Sequence, residues 1–300
     1  MKLSETRQQL VQSIIESLEQ GVKPWQRGWS NCPNSLGLAK SLSTGKAYRG
    51  MNQWILQAAA TKFGFSSCWF GTFNQIVNHH HLARIKKGSK SVKVILYKPM
   101  KREKVDSHGK VIDDTFMMMK TFNVFNVEQT TLENYQAGFA QSNQPAFDRF
   151  EKADQLFKNS GLDVRHGGNR AFYSPKDDYI QIPFESQFES QEHYYGTLIH
   201  ECGHAVEKIV GLDRSKLEDP YPFCEAVVEM ASCMVLSELG IEQVNLENSS
   251  AYIGSWLRCM KKSPKFLFSA SSWASKIADH LLQFSPDKAV AEQASEVIPF

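Results

Sequence analysis

His200-Glu201-Cys202-Gly203-His204 is the segment whose residue types and spacing could do chemistry. Histidines four residues apart lie one helical turn apart on one face, so both imidazoles can reach a single tetrahedral Zn²⁺. Glu201, beside them, would take a proton from a water that the metal activates and pass it to a leaving amine, as in zinc-dependent peptide hydrolysis. Another divalent ion would also suit these donors. The flanking stretch from Tyr194 to Val210 is apolar with helical periodicity, which provides the helix that the spacing needs. Cys202 projects off the ligand face and reads as a small packed hydrophobe.

A third protein donor is expected on the next helical stretch. Glu225-Ala-Val-Val-Glu229 carries two carboxylates one turn apart, 21 and 25 residues beyond His204, among apolar neighbours. Buried carboxylates are costly unless paired, hydrogen-bonded or bound to metal. One of the two therefore completes the metal set and the other orients a ligand histidine. Spacing alone leaves the two assignments open. The pattern resembles zincins of the gluzincin type, and that resemblance puts Glu225 on the metal with Glu229 behind it. Among the other histidines, His79-His80-His81 points in several directions on any regular element, and His166 and His193 stand alone.

The elements that must position these residues follow from periodicity. Helices are expected over 190–210, 222–239, 249–260 and 269–284, with another from Phe147 to Asn159 stopped by Gly161. Ala171 to Pro183 reads as two short strands about a turn at Pro175–Asp178. The strand near Ile180–Ile182 is a candidate edge for pairing with an extended polypeptide. Upstream, residues 3–20 place Leu10, Val11, Ile14, Ile15 and Leu18 on one helical stripe, and Asn52 to Thr61 forms a short helix. Ser91–Tyr97 and Thr115–Val127 read as strands of a hairpin, with the charged segment Lys101–Asp114 as its long loop and Ser107-His108-Gly109 as the turn. Met117-Met118-Met119 is core packing. Glu128 to Pro145, rich in Gln, Asn, Thr and Ser, opens a linker. The expected organisation is α+β throughout: an α+β part over 1–130, a linker over 131–145, and a mostly helical part with a small sheet over 146–300.

Composition separates the two parts more sharply than length does. Of the 300 residues 42% are hydrophobic and 22% charged, ordinary values for a folded soluble chain. The net charge of only +2 conceals a split: residues 1–130 hold 19 Lys+Arg against 8 Asp+Glu, and residues 131–300 hold 15 against 24. A basic half of that kind faces a polyanion. Its cations are interleaved with aromatics: Trp25, Arg27, Trp29, Lys46, Tyr48, Arg49, Trp54, Trp69 and Phe73, and then Arg84, Lys86, Lys87, Lys90 and Lys93 around Gly88. Trp54 and Trp69 are expected in the core. Trp25, Trp29 and Tyr48, with Arg27, Lys46, Arg49, Lys86, Lys87 and Lys90, suit sequence-tolerant binding of single-stranded DNA by stacking and phosphate neutralisation. No zinc finger, helix-turn-helix or RNP motif is evident. No apolar run reaches the ~20 residues of a membrane span; Ala226 to Leu236 is broken by Glu229 and Ser232. The N-terminus lacks a signal-peptide pattern, and six scattered cysteines without a CxxC pair indicate free thiols in the cytoplasm.

Several short motifs in order carry a family resemblance. Pro24-Trp25, Tyr48-Arg49-Gly50-Met51-Asn52, Trp69-Phe-Gly-Thr-Phe-Asn-Gln75, Lys86-Lys-Gly88 and Phe125-Asn-Val-Glu-Gln129 resemble the N-terminal domain of the ArdC antirestriction family, shared with TraC-type plasmid primases. Ala171–Pro183, Tyr195–His204 and Glu225–Leu236 resemble that family's C-terminal zincin-like domain. Cys202 stands where the family commonly has leucine. The resemblance implies a plasmid-borne protein that binds single-stranded DNA without sequence preference and shields incoming conjugative DNA from host restriction endonucleases. Two other readings stay open: a DNA-dependent protease acting on DNA-bound or restriction proteins, and a non-catalytic DNA coat with a structural metal.

Overall fold

The structure is a computed structural model that describes residues 8, 11–12, 14–16, 18–19, 38–79, 83–105, 111–132, 148–243, 247–263 and 265–286. It is an α+β fold. In the first half, strands β1 (Lys40–Ser41), β2 (Trp69–Thr72), β3 (Val92–Val105) and β4 (Val111–Asn126) form one sheet in the order β1-β2-β4-β3. Helix α1 (Met51–Phe63) ends at Gly64, whose φ of 73° is the left-handed cap conformation that glycine adopts without strain. Alternation divides the sheet between two packing faces. Phe70, Val92, Val94 and Val124 join the main core with Trp54 and Leu56 of α1. On the other face Trp69 and Phe125 pack over Leu42, Val127 and Ile76, the last on helix α2 (Phe73–His79). The expected N-terminal stripe is helical at its described positions, with Val11, Ile14, Ile15 and Leu18 buried in the main core.

The hairpin differs from expectation. The ladder continues through the charged segment, pairing Lys101 with Thr115, Arg102 with Asp114 and Lys104 with Ile112, as far as Val105 opposite Val111. A strand ladder is made by backbone N–H and C=O groups, so charged side chains do not prevent it. The expected turn at 107–109 lies outside the described residues. The start of the expected linker differs too. The Glu128 carboxylate accepts from the Ser66 and Ser67 amides at 3.0 and 2.7 Å and from the Ser66 hydroxyl. Thr131 N donates to Arg84 O at 2.9 Å, so 128–131 is fastened to the first half. The rest of that linker, from 133 onward, lies outside the described residues.

In the second half, α3 (Asp148–Ser160) precedes a sheet of β5 (Val164–His166), β6 (Phe172–Ser174) and β7 (Tyr179–Ile182) in the order β5-β7-β6. This corrects the expected docking edge. Strand β7, containing Ile180 and Ile182, is hydrogen-bonded on both sides, parallel to β5 and antiparallel to β6. Both isoleucines are fully buried, as suits a central strand. Four helices follow: α4 (Gln191–Ile209), α5 (Pro220–Leu239), α6 (Glu247–Lys262) and α7 (Lys265–Leu282). Helix α5 is buried on nearly every side, starts with Pro220 and stops at Gly240 in the left-handed conformation. Among the described residues no helix is long and apolar enough to cross a membrane.

The buried residues of the two halves form one continuous cluster, with Trp54 and Phe70 in the same core as Val228 and Leu267. Polar contacts join the halves as well. Gly50 N donates to Ser275 Oγ at 3.0 Å, and Arg49 pairs with Asp279. The Asn52 side-chain amide occupies the free edge of β3, donating to Ile95 O at 2.6 Å and accepting from Ile95 N at 2.8 Å. At that one residue the edge strand is closed to pairing with another chain.

Candidate functional site

Helix α4 begins at Ser190, whose hydroxyl accepts from the His193 amide at 3.2 Å. Its apolar stripe of Tyr194, Tyr195, Leu198, Ile199, Cys202 and Val206 is buried, which turns His200, Glu201 and His204 toward a cavity of about 670 Å³. Gly203 allows the neighbouring helix to come close. A Cβ at that position would stand 2.7 Å from Val228 Cγ1 on α5. The approach carries Glu225 and Glu229, both buried, to the histidines. His200 and His204 rings meet edge to face at 5.1 Å. Glu225 Oε2 lies 3.5 Å from His200 Nε2, and Glu225 Oε1 lies 3.5 Å from His204 Nε2. A tetrahedral site with bonds of about 2.0–2.1 Å sets its donors roughly 3.3 Å apart. The donor atoms of these three residues all lie within 4.8 Å of one another. The trio thus fits a tetrahedral metal with small adjustment.

The remaining carboxylates sit behind the histidines. Glu229 Oε2 is 3.8 Å from His200 Nδ1, a buried atom without a hydrogen-bond partner among the described residues. Behind His204 stands a residue that sequence reasoning missed. Glu207 is almost fully buried, and its Oε1 accepts from His204 Nδ1 at 2.7 Å. Arg214, from the short turn after α4, grips Glu207 through Nε at 2.7 Å and a terminal nitrogen at 2.9 Å. A proton held on Nδ1 toward Glu207 leaves Nε2 as the free lone pair that a metal requires. Burial disfavours the charged form of His204, but the bonds to Glu207 and Glu225 outweigh it and push its pKa up to about 9. Burial likewise acts to raise the Glu225 pKa, and the bonds from His200 and His204 outweigh it, bringing it down to about 2. Burial would also raise the Glu207 carboxyl, yet His204 and Arg214 hold it below the usual range. The Glu207 role had one faint signal: an acid three residues past His204 on an otherwise apolar stripe.

Other expectations find their places. Cys202 is fully buried, and burial drives its thiol far above the ordinary range, as for an inert packed side chain. Cys68, Cys202, Cys224, Cys233 and Cys259 are free, and Cys32 lies outside the described residues. His193 lines the cavity. His166 Nε2 bonds to the Tyr194 hydroxyl at 2.8 Å. His79 closes α2, and His80 and His81 lie outside the described residues. Of the basic-half candidates, Trp25, Arg27 and Trp29 also lie outside them. Lys46, Lys86, Lys87 and Lys90 are exposed. The last three surround Gly88, on a loop held by Lys86 N to Gln129 O at 2.8 Å and by Gln129 Nε2 to Lys90 O at 3.0 Å. Arg49 is exposed and shared with Asp279. Tyr48 packs against the core, and burial raises its hydroxyl pKa to about 12 despite a bond to Ser41. Among the described residues the exposed rings of this half are Phe63, Phe73 and Phe122, of which Phe63 and Phe122 lie outside the set read from sequence.

Fold and site together define a zincin-like architecture: an HExxH helix packed on a second helix that brings the glutamates. The family of zincin-like metallopeptidases matches residues 151–273, and the family of the N-terminal domain of anti-restriction factor ArdC matches residues 4–125. The crystal structure of antirestriction ArdC protein from the R388 plasmid, in its metal-free form, superposes with a TM-score of 0.76 at 30% identity, covering 94% of this chain and 98% of that one. Its Mn(II)-bound form superposes with a TM-score of 0.74 at 29% identity, covering 96% and 99%. The uncharacterized protein y4eC of Sinorhizobium fredii is 29% identical over 91% of this chain and 90% of its own length. A DNA primase TraC of Escherichia coli is 31% identical over 92% of this chain, which spans only 20% of the primase. The chain belongs to the ArdC antirestriction family.

Proposed function

We propose that this chain is a plasmid-borne antirestriction protein whose first half binds single-stranded DNA and whose second half is a metallopeptidase centre, acting in the cytoplasm on incoming conjugative DNA. The observation that carries the metal reading is the convergence of His200 Nε2, His204 Nε2 and both Glu225 oxygens at 3.5 Å. His200, His204 and Glu225 would hold the ion, with Glu229 behind His200 and Glu207 behind His204. The Mn(II)-bound relative supports a divalent metal, and two imidazoles with one carboxylate suit zinc. When bound, the metal supplies Lewis acidity to a water and to a substrate carbonyl.

The chain's own residues do the rest. Glu201 lines the same cavity and is the base that accepts a proton from water and returns it to the leaving amine. Strand β6 is an edge of its sheet among the described residues, and Phe172 and Tyr173 line the cavity. An extended polypeptide would pair with that edge rather than with β7. Exposed rings of Phe172 and Tyr221 would cover its side chains.

For the DNA reading, the support is the basic first half with its loop of Lys86, Lys87 and Lys90, the exposed Phe73 and Phe122, and the kinship with TraC primases. The deciding experiment measures restriction of DNA entering recipient cells that carry wild type, Glu201→Gln or His200→Ala. Protection by wild type that both variants lose is the expected result, and the next step is a search for a cleaved host or DNA-bound protein. No protection by wild type would sink the antirestriction reading. Protection retained by Glu201→Gln would remove catalysis from it.

A further inference from the structure

The two halves enclose a groove of about 740 Å³ between the turn that begins at Arg49 and one stripe of α7. Neither the metal centre nor the lysine loop uses it. Three cationic residues line it, Arg49 from the first half and Lys265 and Lys276 from α7, with the Lys276 ammonium 3.8 Å from the centre of the Trp273 ring. Among the described residues a single carboxylate, Asp279, lines it, and that one is already paired with Arg49. Ser269 and Ser272 face the same space, exposed and without a hydrogen-bond partner among the described residues. The second half carries an excess of acidic residues overall, so this stripe runs against its prevailing sign.

We propose that this groove holds a run of DNA backbone, so that the metallopeptidase half supplies part of the DNA path; the inference rests on the DNA-binding reading above. Lys265 and Lys276 are eleven residues apart on one helix, which at 1.5 Å per residue is about 16 Å. Such a length accommodates roughly five stacked nucleotides at 3.4 Å each. Lysine ammonium groups neutralise phosphates, and serine hydroxyls donate to phosphate oxygens without reading sequence. Lys265 also opens α7, where the helix dipole favours an anion. The groove walls are fixed in advance by Gly50 N on Ser275 Oγ and by Asn52 on the β3 edge. A strand lying there would bridge the halves and enter at the level of the shared core, bringing the peptidase half to whatever is bound on that strand.

The test is fluorescence anisotropy with a labelled oligo(dT) of about 20 nucleotides across a salt series, on the full chain. Three variants are compared with wild type: Lys265→Ala/Lys276→Ala, Ser272→Glu, and the control Lys158→Ala/Lys208→Ala on other exposed surfaces. Each phosphate contact on a single strand contributes about 0.7 to the slope of log K against log[salt], so the α7 double variant should lower the slope by about 1.4. Its affinity, and that of Ser272→Glu, should fall roughly five- to tenfold at moderate salt while the control binds as wild type does. If wild type binds and both α7 variants match it in affinity and slope, the groove inference is overturned and the DNA reading stands. If wild type fails to bind the oligonucleotide, the DNA reading falls and takes this inference with it.

Discussion

Replacing Gly203 by alanine probes the close approach that builds the site. The new Cβ would lie 2.7 Å from Val228 Cγ1 and 3.3 Å from Cγ2. Optimal carbon contacts are about 3.5–4.0 Å, so the first contact is about 1 Å too short. Val228 cannot swing clear, because it is fully buried, β-branched and presents both methyls to the glycine. Overpacking of this kind costs about 1–3 kcal/mol, and the gain in helix propensity from glycine to alanine returns about 0.5–1. The net expectation is a loss of about 1–2 kcal/mol, a drop in Tm of roughly 2–6 °C. A larger consequence falls on the metal. Separating α4 from α5 draws Glu225 away from both histidines, so affinity for Zn²⁺ should fall at least tenfold. The assay pairs thermal melts of metal-free protein with Zn²⁺ titration against a chromophoric chelator. A double-mutant cycle with Val228→Ala isolates the contact. Val228→Ala alone costs about 1.5–3 kcal/mol of lost burial, and in the Gly203→Ala background it should cost at least 1 kcal/mol less and restore metal affinity. Additive effects, or a Gly203→Ala variant with unchanged melting and metal binding, would refute the steric argument.

Glutamate substitutions should rank the carboxylates around the metal. Glu225→Gln should lower Zn²⁺ affinity by more than 100-fold, whereas Glu229→Gln and Glu207→Gln, acting on the far side of the histidines, should lower it 10–100-fold. A larger loss from Glu229→Gln than from Glu225→Gln would reverse the assignment. The pH dependence of metal-free stability follows from the same cluster. His204 is raised from 6.5 to about 9, so its contribution is complete below 6.5 and disappears as pH rises through 9. Glu225 is lowered from 4.5 to about 2, so its contribution is complete above 4.5 and disappears as pH falls through 2. Both are present between pH 4.5 and 6.5. Melts of metal-free protein should therefore lose on the order of 3 kcal/mol between pH 6.5 and 9, relative to His204→Asn. A parallel pH profile for the variant would remove His204 as the cause.

Local periodicity made much of this protein legible from sequence. The HExxH spacing places two imidazoles on one helical face because 3.6 residues per turn leaves no alternative, and the buried glutamates on α5 announce themselves by sitting among valines. Helix spans, the short strands about Pro175–Asp178 and the basic first half follow in the same way, from patterns a few residues long. Other features depend on which segments meet. Spacing alone could not choose between Glu225 and Glu229, because the choice rests on the rotation of α5 against α4, and Gly203 against Val228 sets that. Strand β7 looked like an edge because pairing with β5, thirteen or more residues upstream, leaves no local trace. Charges across the hairpin read as a loop because the segment lacks apolar alternation, whereas a ladder needs only its backbone groups. Glu207 acquires its place only when Arg214 folds back onto it, and the cationic groove exists only because α7 packs beside Arg49. Sequence determined the chemistry each segment can offer, since side-chain type and helical phase are local; tertiary structure alone decided which of those groups share a site, since that depends on long-range packing.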